Sequence, residues 1–357
     1  WSSDVCSSDL LEPTCCGFPF WSLTVTKSVR IFINGFGRIG RTVLRQCVTG
    51  DHASSFDVVG INDIAGLEIS AYLFRYDSVF GPFPYPVDVK EKSIKIKDQN
   101  IAFHNENDIR TLDLSQVDVV MECTGHTGDR RFVEAGLDAG AGSVLISGPS
   151  TVADKTIVIG ANDQDLENAL IVSNSSCTTN AIAPLLRTID IGLGITSAHV
   201  TTIHCYTGSQ PTVDRPGPSF ERSRAAAVSM VPTTTSAAHQ ITQVLPELKG
   251  RLSVAALRVP CISVSAIDMV LQVVDGSAEE FGRFLKQAFA ASQLVGLCND
   301  PCVSSDFRGR RESVVISLSE TQSIGDGQIR LLGWYDNEWG FSARMLDMAT
   351  RLSQRRF

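Results

Sequence analysis

The run Ser175-Ser176-Cys177-Thr178-Thr179-Asn180 holds the residue best suited to act as a nucleophile. It stands at the start of an expected helix, where unpaired amides and the positive end of the dipole lower a thiol's pKa. A thiolate attacks carbonyl carbon readily. The ordinary alternative is a buried structural cysteine, the reading given to Cys47 and Cys298. A nucleophile of this kind needs a base. His204, in Thr201-Thr202-Ile203-His204-Cys205-Tyr206-Thr207, ends an expected strand beside a polar loop, where an imidazole can take the thiol proton and return it. Taken alone it is one of six histidines, and a structural role is the commoner fate of such a residue. Arg258, with Thr207 and Thr235, offers the guanidinium and hydroxyl donors that suit a phosphate ester. An Arg after an apolar strand is nonetheless more often a surface or ion-pair residue.

A second chemistry is written in Gly35-Phe36-Gly37-Arg38-Ile39-Gly40, which follows an expected strand and opens an expected helix. Glycines there let the backbone turn tightly and approach a pyrophosphate seated on the helix amides. The spacing alone is weak. It gains weight from Asp63, at the end of the next strand, where a carboxylate accepts from ribose hydroxyls and repels a 2′-phosphate. That combination favours NAD over NADP, the alternative for Asp63 being a solvated strand-end acid.

Positioning these groups requires two folding units. Residues 29–34, 58–62, 117–123 and 143–147 read as short buried strands, alternating with helices over 37–49, 66–76 and 130–139. Alternation of this kind implies parallel pairing with right-handed crossovers, so 29–176 is expected to be a doubly wound, Rossmann-type α/β unit. Beyond Cys177 the pattern changes. A helix over 178–191 precedes a strand over 198–204, a polar loop over 206–223 and a helix over 236–245. Strands over 252–259, 263–274, 314–318 and 328–334 surround a helix over 278–291, giving an α+β unit, 177–338, with a large, mostly antiparallel sheet. A last helix over 339–352 is expected to pack back on the first unit, completing it to residue 357.

Bulk properties set limits. At 357 residues the chain exceeds what one core usually serves. A net charge of -8 argues against a broad nucleic-acid or anionic-membrane surface. No apolar run is long enough to span a bilayer as a helix. Ten cysteines scattered through a long, enzyme-like chain suit reduced thiols in the cytoplasm better than a disulfide framework. No metal is expected. Residues 1–28 stand apart: Ser2-Ser3-Asp4 recurs as Ser7-Ser8-Asp9, and the segment resembles a translated sequencing adapter fused to an open reading frame. It is expected to be foreign to the native protein, the alternative being a genuine flexible extension.

Together these strings resemble the glyceraldehyde-3-phosphate dehydrogenase family, phosphorylating type, over roughly residues 29–350. The telling runs are Ile33-Asn34-Gly35-Phe36-Gly37-Arg38-Ile39-Gly40-Arg41, Ser176-Cys177-Thr178-Thr179-Asn180, Arg258-Val259-Pro260 and Trp334-Tyr335-Asp336-Asn337-Glu338-Trp339-Gly340. The resemblance implies NAD-dependent oxidation of glyceraldehyde 3-phosphate to 1,3-bisphosphoglycerate, in glycolysis or gluconeogenesis, through a Cys177 hemithioacetal and thioester with His204 as base. It implies a cofactor set of Asn34, Gly35, Phe36, Gly37, Arg38, Ile39, Gly40, Asp63, Thr124, Ser147 and Asn337. It assigns Thr207 and Arg258 to the substrate's phosphate, and Ser176, Thr178, Arg222, Thr235 and Ser236 to the attacking inorganic phosphate. It also implies a homotetramer, whose loop near 206–223 helps build a neighbour's cofactor site.

The chain departs from the family pattern at Ala181, Ser236, Phe341, Arg215, Cys261 and Ser263. Ala181 removes a second Cys one turn from Cys177, and Arg215 raises the prospect of tolerance for NADP. Phe341 and the run Val264-Ser265-Ala266-Ile267-Asp268 lean toward hydrolytic oxidation of erythrose 4-phosphate, whereas Thr207 and the threonines before Thr235 lean toward phosphorolysis. An accessory paralogue using arsenate, and a non-catalytic protein that binds partners in the nucleotide groove, stay open at this point.

Overall fold

The computed structural model describes residues 28–50, 54–274, 278–325 and 327–356; the segment 1–28, save Ser28, lies outside them. The first half builds a nine-stranded sheet. Its elements are β1 (Val29–Asn34), α1 (Arg38–Thr49), β2 (Phe56–Asn62), α2 (Leu67–Arg75), β3 (Val87–Lys90), β4 (Ser93–Ile96) and β5 (Gln99–His104). They continue with β6 (Val119–Glu122), α3 (Arg130–Asp138), β7 (Ser143–Ile146), β8 (Lys155–Thr156) and β9 (Ile171–Ser173). The order across the sheet is β3-β4-β5-β2-β1-β6-β7-β9-β8. All neighbours run parallel except β3–β4 and β4–β5. β1 is buried along almost its whole length, as expected of an apolar run flanked on both sides by parallel partners.

The meander β3–β5 departs from the sequence reading, which placed no strands there. These strands are short and interrupted by Lys90, Glu91, Lys92, Lys95, Lys97 and Asp98, so their apolar alternation is weak. Val87, Ile94, Ile96 and Ile101 nevertheless point inward and are fully or almost fully buried.

The second half begins with α4 (Cys177–Leu193) and β10 (Ile195–Cys205). Then come β11 (Val231–Thr233), α5 (Ala237–Val244), β12 (Leu252–Val259), β13 (Ser265–Val273), α6 (Ala278–Phe289), β14 (Val295–Cys298), β15 (Val314–Ile324), β16 (Gln328–Tyr335) and α7 (Trp339–Ser353). Its seven-stranded sheet has the order β11-β12-β10-β13-β16-β15-β14. β10–β12 and β14–β15 are parallel and the other pairs antiparallel. The fold is therefore a Rossmann-type sheet joined to an α+β unit whose large sheet is mostly antiparallel. β15 runs further than the expected 314–318, because its outer half is polar and exposed and carries no apolar signal. No helix among the described residues is long and apolar enough to cross a membrane.

Two large cores result, one against each sheet, with a smaller cluster around Phe32, Val120, Val144 and Ile146 also on the first sheet, and Cys177 packs at the edge of both large cores. Phe341, Met345, Leu346, Met348, Ala349 and Leu352 of α7 belong to the core of the first sheet. Arg38 fastens the same junction, its guanidinium paired with Asp77 on one side and with Glu338, just before α7, on the other.

Candidate active site

The glycine turn is shaped by two close approaches. Gly35 has φ +93°, and a Cβ there would stand 2.6 Å from the Cys123 carbonyl carbon. At Gly40 a Cβ would meet the Gly35 carbonyl oxygen at 2.2 Å, so the first turn of α1 can lie flat on the loop only without a side chain. Gly37, the N-cap of α1, has open space where a Cβ would be, and no side chain caps the helix. The α1 amides therefore face a cradle suited to an anion. Asp63 stands beside it: one carboxylate oxygen accepts from Phe36 N at 2.6 Å and the other from Ala65 N at 2.8 Å. Below the turn, Asn34 donates to buried Glu122 at 2.6 Å, and the Thr124 amide donates to the same carboxylate at 2.9 Å. Ser147 follows β7, its amide donating to Glu122 O. Arg38 and Asn34 thus spend their side chains on internal bonds, and only their backbone is left to border the cradle.

Cys177, the expected nucleophile, is held by its neighbours. Ser175 adopts φ +56°, an unusual conformation for a side-chain-bearing residue. It is fully buried, and its hydroxyl donates to Gln240 Oε1 of α5 at 2.8 Å. Ser176 then caps α4, accepting from Thr179 N at 3.1 Å. The Asn180 amide clamps the approach by donating to Asn174 O at 2.7 Å and Ser176 O at 3.0 Å. Helix α4 starts at Cys177, one residue earlier than its sequence suggests, so the thiol lies in the first turn.

Register brings the rest. In parallel β10 and β12, His204 is level with Arg258, and Arg258 is level with Val231 in antiparallel β11. Cys177 Sγ is 3.5 Å from His204 Nε2. On the far side of the ring, Arg258 Nη1 is 2.7 Å from Nδ1 and donates to Cys205 O at 2.9 Å. Nδ1 also lies 2.7 Å from the Cys205 carbonyl oxygen, which only accepts; a ring proton on Nδ1 bonds there and leaves Nε2 free to accept from the Cys177 thiol. Burial first, and Arg258 second, push the His204 pKa down to about 4. The expected depressed thiol is not found. Burial pushes the Cys177 pKa up, and Arg258 and Thr178 offset this only in part. Desolvation of the thiolate outweighs the field of the helix end.

The proposed anion donors are placed unevenly. Thr178 is buried, and its hydroxyl meets the Tyr335 hydroxyl at 3.0 Å. Thr207 and Ser209 share a hydrogen bond of 3.0 Å in the loop after β10. Thr235 accepts from Ala237 N at the start of α5, and Ser236 accepts from Gln240 Nε2. Arg222 lies in a short turn, Glu221–Ser223, partly exposed and away from these strands in sequence. The structure draws His204, Arg258 and Cys177 into direct contact, but it shows no bond from Arg222 or Thr235 to that trio.

Three residues that sequence reading did not single out support the site. Gln240 anchors both Ser175 and Thr179. Tyr335, at the end of β16, joins Thr178 to Thr202 of β10 through its hydroxyl and sets its ring edge against His204, with centroids 5.9 Å apart. Cys205 donates its thiol to Asn337 Oδ1 at 3.1 Å, fixing the amide that follows β16. Cys205 and Tyr335 lie within the runs quoted for His204 and Asn337, but neither carried a role of its own there.

Comparison with known proteins fits this geometry. Residues 29–130 match the family description "Glyceraldehyde 3-phosphate dehydrogenase, NAD binding domain", and residues 176–337 match "Glyceraldehyde 3-phosphate dehydrogenase, C-terminal domain". The chain is 42% identical over 334 residues to a glyceraldehyde-3-phosphate dehydrogenase of Pseudomonas aeruginosa, covering 92% of this chain and 99% of that one.

The chain belongs to the glyceraldehyde 3-phosphate dehydrogenase family.

The likeness crosses kingdoms. A glyceraldehyde-3-phosphate dehydrogenase of Xanthobacter flavus is 42% identical over 334 residues, 92% of this chain and 99% of the relative. The chloroplastic glyceraldehyde-3-phosphate dehydrogenase A of Zea mays is 40% identical over 329 residues, 90% of this chain and 81% of the relative. Within this dehydrogenase family the glycine cradle belongs to the NAD binding domain, and Cys177, His204 and Arg258 belong to the C-terminal domain.

Proposed function

We propose that this chain oxidises glyceraldehyde 3-phosphate with NAD and delivers the acyl group to inorganic phosphate, forming 1,3-bisphosphoglycerate. The observation that carries this reading is the contact chain Cys177–His204–Arg258, which links a nucleophile, a base and a phosphate-binding cation through two direct contacts on opposite sides of one imidazole ring. The cradle residues fit the cofactor. Gly37 leaves room for the pyrophosphate, Asp63 faces the ribose, and Asn337, held by Cys205, presents an amide for the nicotinamide carboxamide. When bound, NAD supplies the hydride acceptor for the aldehyde carbon. Residues 29–176 with α7 serve as the cofactor unit and 177–338 as the catalytic unit.

His204 takes the Cys177 proton as sulfur adds to the aldehyde carbon and hands it to the carbonyl oxygen, giving the hemithioacetal; the ring, neutral again, takes that hydroxyl proton back as the thioester forms. Burial, and Arg258 beside the ring, suppress its basicity. A substrate phosphate seated on Arg258 and Thr207 neutralises that cation and draws it from Nδ1, which raises the basicity of the ring when a base is needed. Thr178, Ser176, Arg222, Thr235 and Ser236 then receive the phosphate that attacks the thioester.

Arg258→Gln is expected to raise KM for the phosphorylated aldehyde by roughly ten- to a hundredfold through loss of a charge-assisted contact. The same change removes one of the two causes that depress His204. The acidic limb of the kcat/KM profile, where the ring becomes protonated and inactive, is therefore expected to move to higher pH. An unmoved limb would mean that Arg258 does not tune the base.

The loop after β10 supports an assembly of identical chains. Val213, Phe220, Val228 and Met230 are 70%, 94%, 80% and 70% exposed, too apolar a set to leave bare in water. A homotetramer would cover them, and the reactive thiol suits the cytoplasm. The deciding assay follows reduction of NAD and of NADP with glyceraldehyde 3-phosphate and with erythrose 4-phosphate, with and without phosphate. NAD-linked, phosphate-dependent turnover of the three-carbon aldehyde is expected. Phosphate-independent turnover that prefers erythrose 4-phosphate would replace this reading.

A further inference from the structure

The end of β14 carries chemistry that the aldehyde site does not use. Cys298 closes the strand and opens the run Cys298-Asn299-Asp300-Pro301-Cys302. Read from sequence it is a buried structural thiol, but in the fold it is only half-buried, because β14 is an edge strand and the chain turns outward after it. Its Sγ is 3.7 Å from Cys302 Sγ and 3.7 Å from the Asp300 carbonyl oxygen. Cys302 N donates to that same carbonyl at 2.8 Å, which closes a tight three-residue turn around Pro301. One ligand atom each from Cys298, Asp300 and Cys302 lies within 4.8 Å of the other two. Below the loop the rings of Phe307 and Trp334 stack, with centroids 5.7 Å apart, and both cysteines pack on this floor.

The sulfur separation discriminates between two fates for the thiols. A disulfide requires about 2.05 Å, so oxidation would need the sulfurs to close by more than an ångström. Two sulfurs bound at about 2.3 Å to one tetrahedral cation stand roughly 3.8 Å apart, which is the spacing already present. A carboxylate oxygen on the same cation lies about 3.6 Å from each sulfur, and that of exposed Asp300 already stands within 4.8 Å of both. Thiolates select soft or borderline metals over calcium and magnesium. The nearby Arg310 guanidinium, paired with Glu312, helps balance three anionic ligands around a divalent ion.

We propose that Cys298, Asp300 and Cys302 form a surface site for one thiophilic divalent cation of the zinc class, with water completing the tetrahedron. Binding replaces the two thiol protons by metal–sulfur bonds and releases them to solvent, with no change of oxidation state. The site is separate from Cys177 and requires no part of the aldehyde chemistry.

The test uses the whole chain carrying Cys177→Ser, so that the nucleophile cannot take up the probe. The other thiols are common to every variant and cancel in comparison. Zinc is titrated against a chromogenic chelator, and Co²⁺ is followed by its thiolate-to-metal charge-transfer absorption. One equivalent is expected to be lost from either Cys298→Ser or Cys302→Ser, with affinity reduced about a hundredfold or more. Asp300→Asn, which alters an exposed side chain and leaves both thiols in place, is expected to weaken binding about tenfold. Unchanged zinc stoichiometry and affinity in the Cys298→Ser/Cys302→Ser double variant would overturn the proposal. So would the loss of two titratable thiols to a disulfide under air, with no zinc bound before or after reduction.

Discussion

Cys177→Ser is expected to lower kcat/KM for aldehyde oxidation by roughly 10⁴-fold or more, a loss of about 5 kcal/mol of transition-state stabilisation. A serine hydroxyl can occupy the same place in the first turn of α4, and the bonds that hold it come from Ser175, Ser176 and Asn180, so folding is expected to be intact. What disappears is the reactive sulfur. Sulfur adds to a carbonyl and then serves as the leaving group of a thioester, whereas an oxygen ester resists attack by phosphate. Mass spectrometry after mixing with aldehyde and NAD in the absence of phosphate should find an acyl adduct on the parent enzyme and none on the variant. A variant that keeps a tenth of the parent activity would refute covalent catalysis by this residue.

His204→Asn ranks next, with an expected loss of roughly 10²–10⁴-fold. The amide can still bond to sulfur, but it cannot accept the proton that leaves. Because burial pushes the Cys177 thiol up, little thiolate forms at neutral pH without a base. The deficit should therefore narrow as pH rises and hydroxide does what the imidazole did. The rate of Cys177 alkylation by iodoacetamide, measured across pH, reads this step without the rest of the cycle. Parallel profiles for parent and variant would show that His204 does not govern the thiol.

The parts of this site visible in the sequence were those whose chemistry is local. A Cys flanked by hydroxyls at a helix start, and glycines between a strand and a helix, carry their meaning within six residues. Arg258 and His204 were ambiguous until parallel pairing of β10 with β12 set them level, since register is a tertiary property. Gln240 and Tyr335 act from remote elements and stood in no pattern that assigned them a role. The acidity of Cys177 was misread for the same reason. The helix end is written locally, but the depth of burial depends on two cores meeting at that residue. Strands β3–β5 were hidden by charges on their exposed face, and Cys298 by its apolar neighbours Val295 and Leu297 in a strand that lies at the sheet's edge.

The junction of α7 with the first sheet bears on how the chain is made. A ribosome releases the nine strands long before it releases Trp339–Ser353, yet six side chains of that helix complete the core those strands enclose. The dinucleotide-binding half is thus the first to be synthesised and the last to close. Nascent chains stalled before residue 339 are expected to stay sensitive to protease within 29–173, and protection should appear only once α7 has cleared the exit tunnel. Early protection would show that the sheet can seal itself without its final helix.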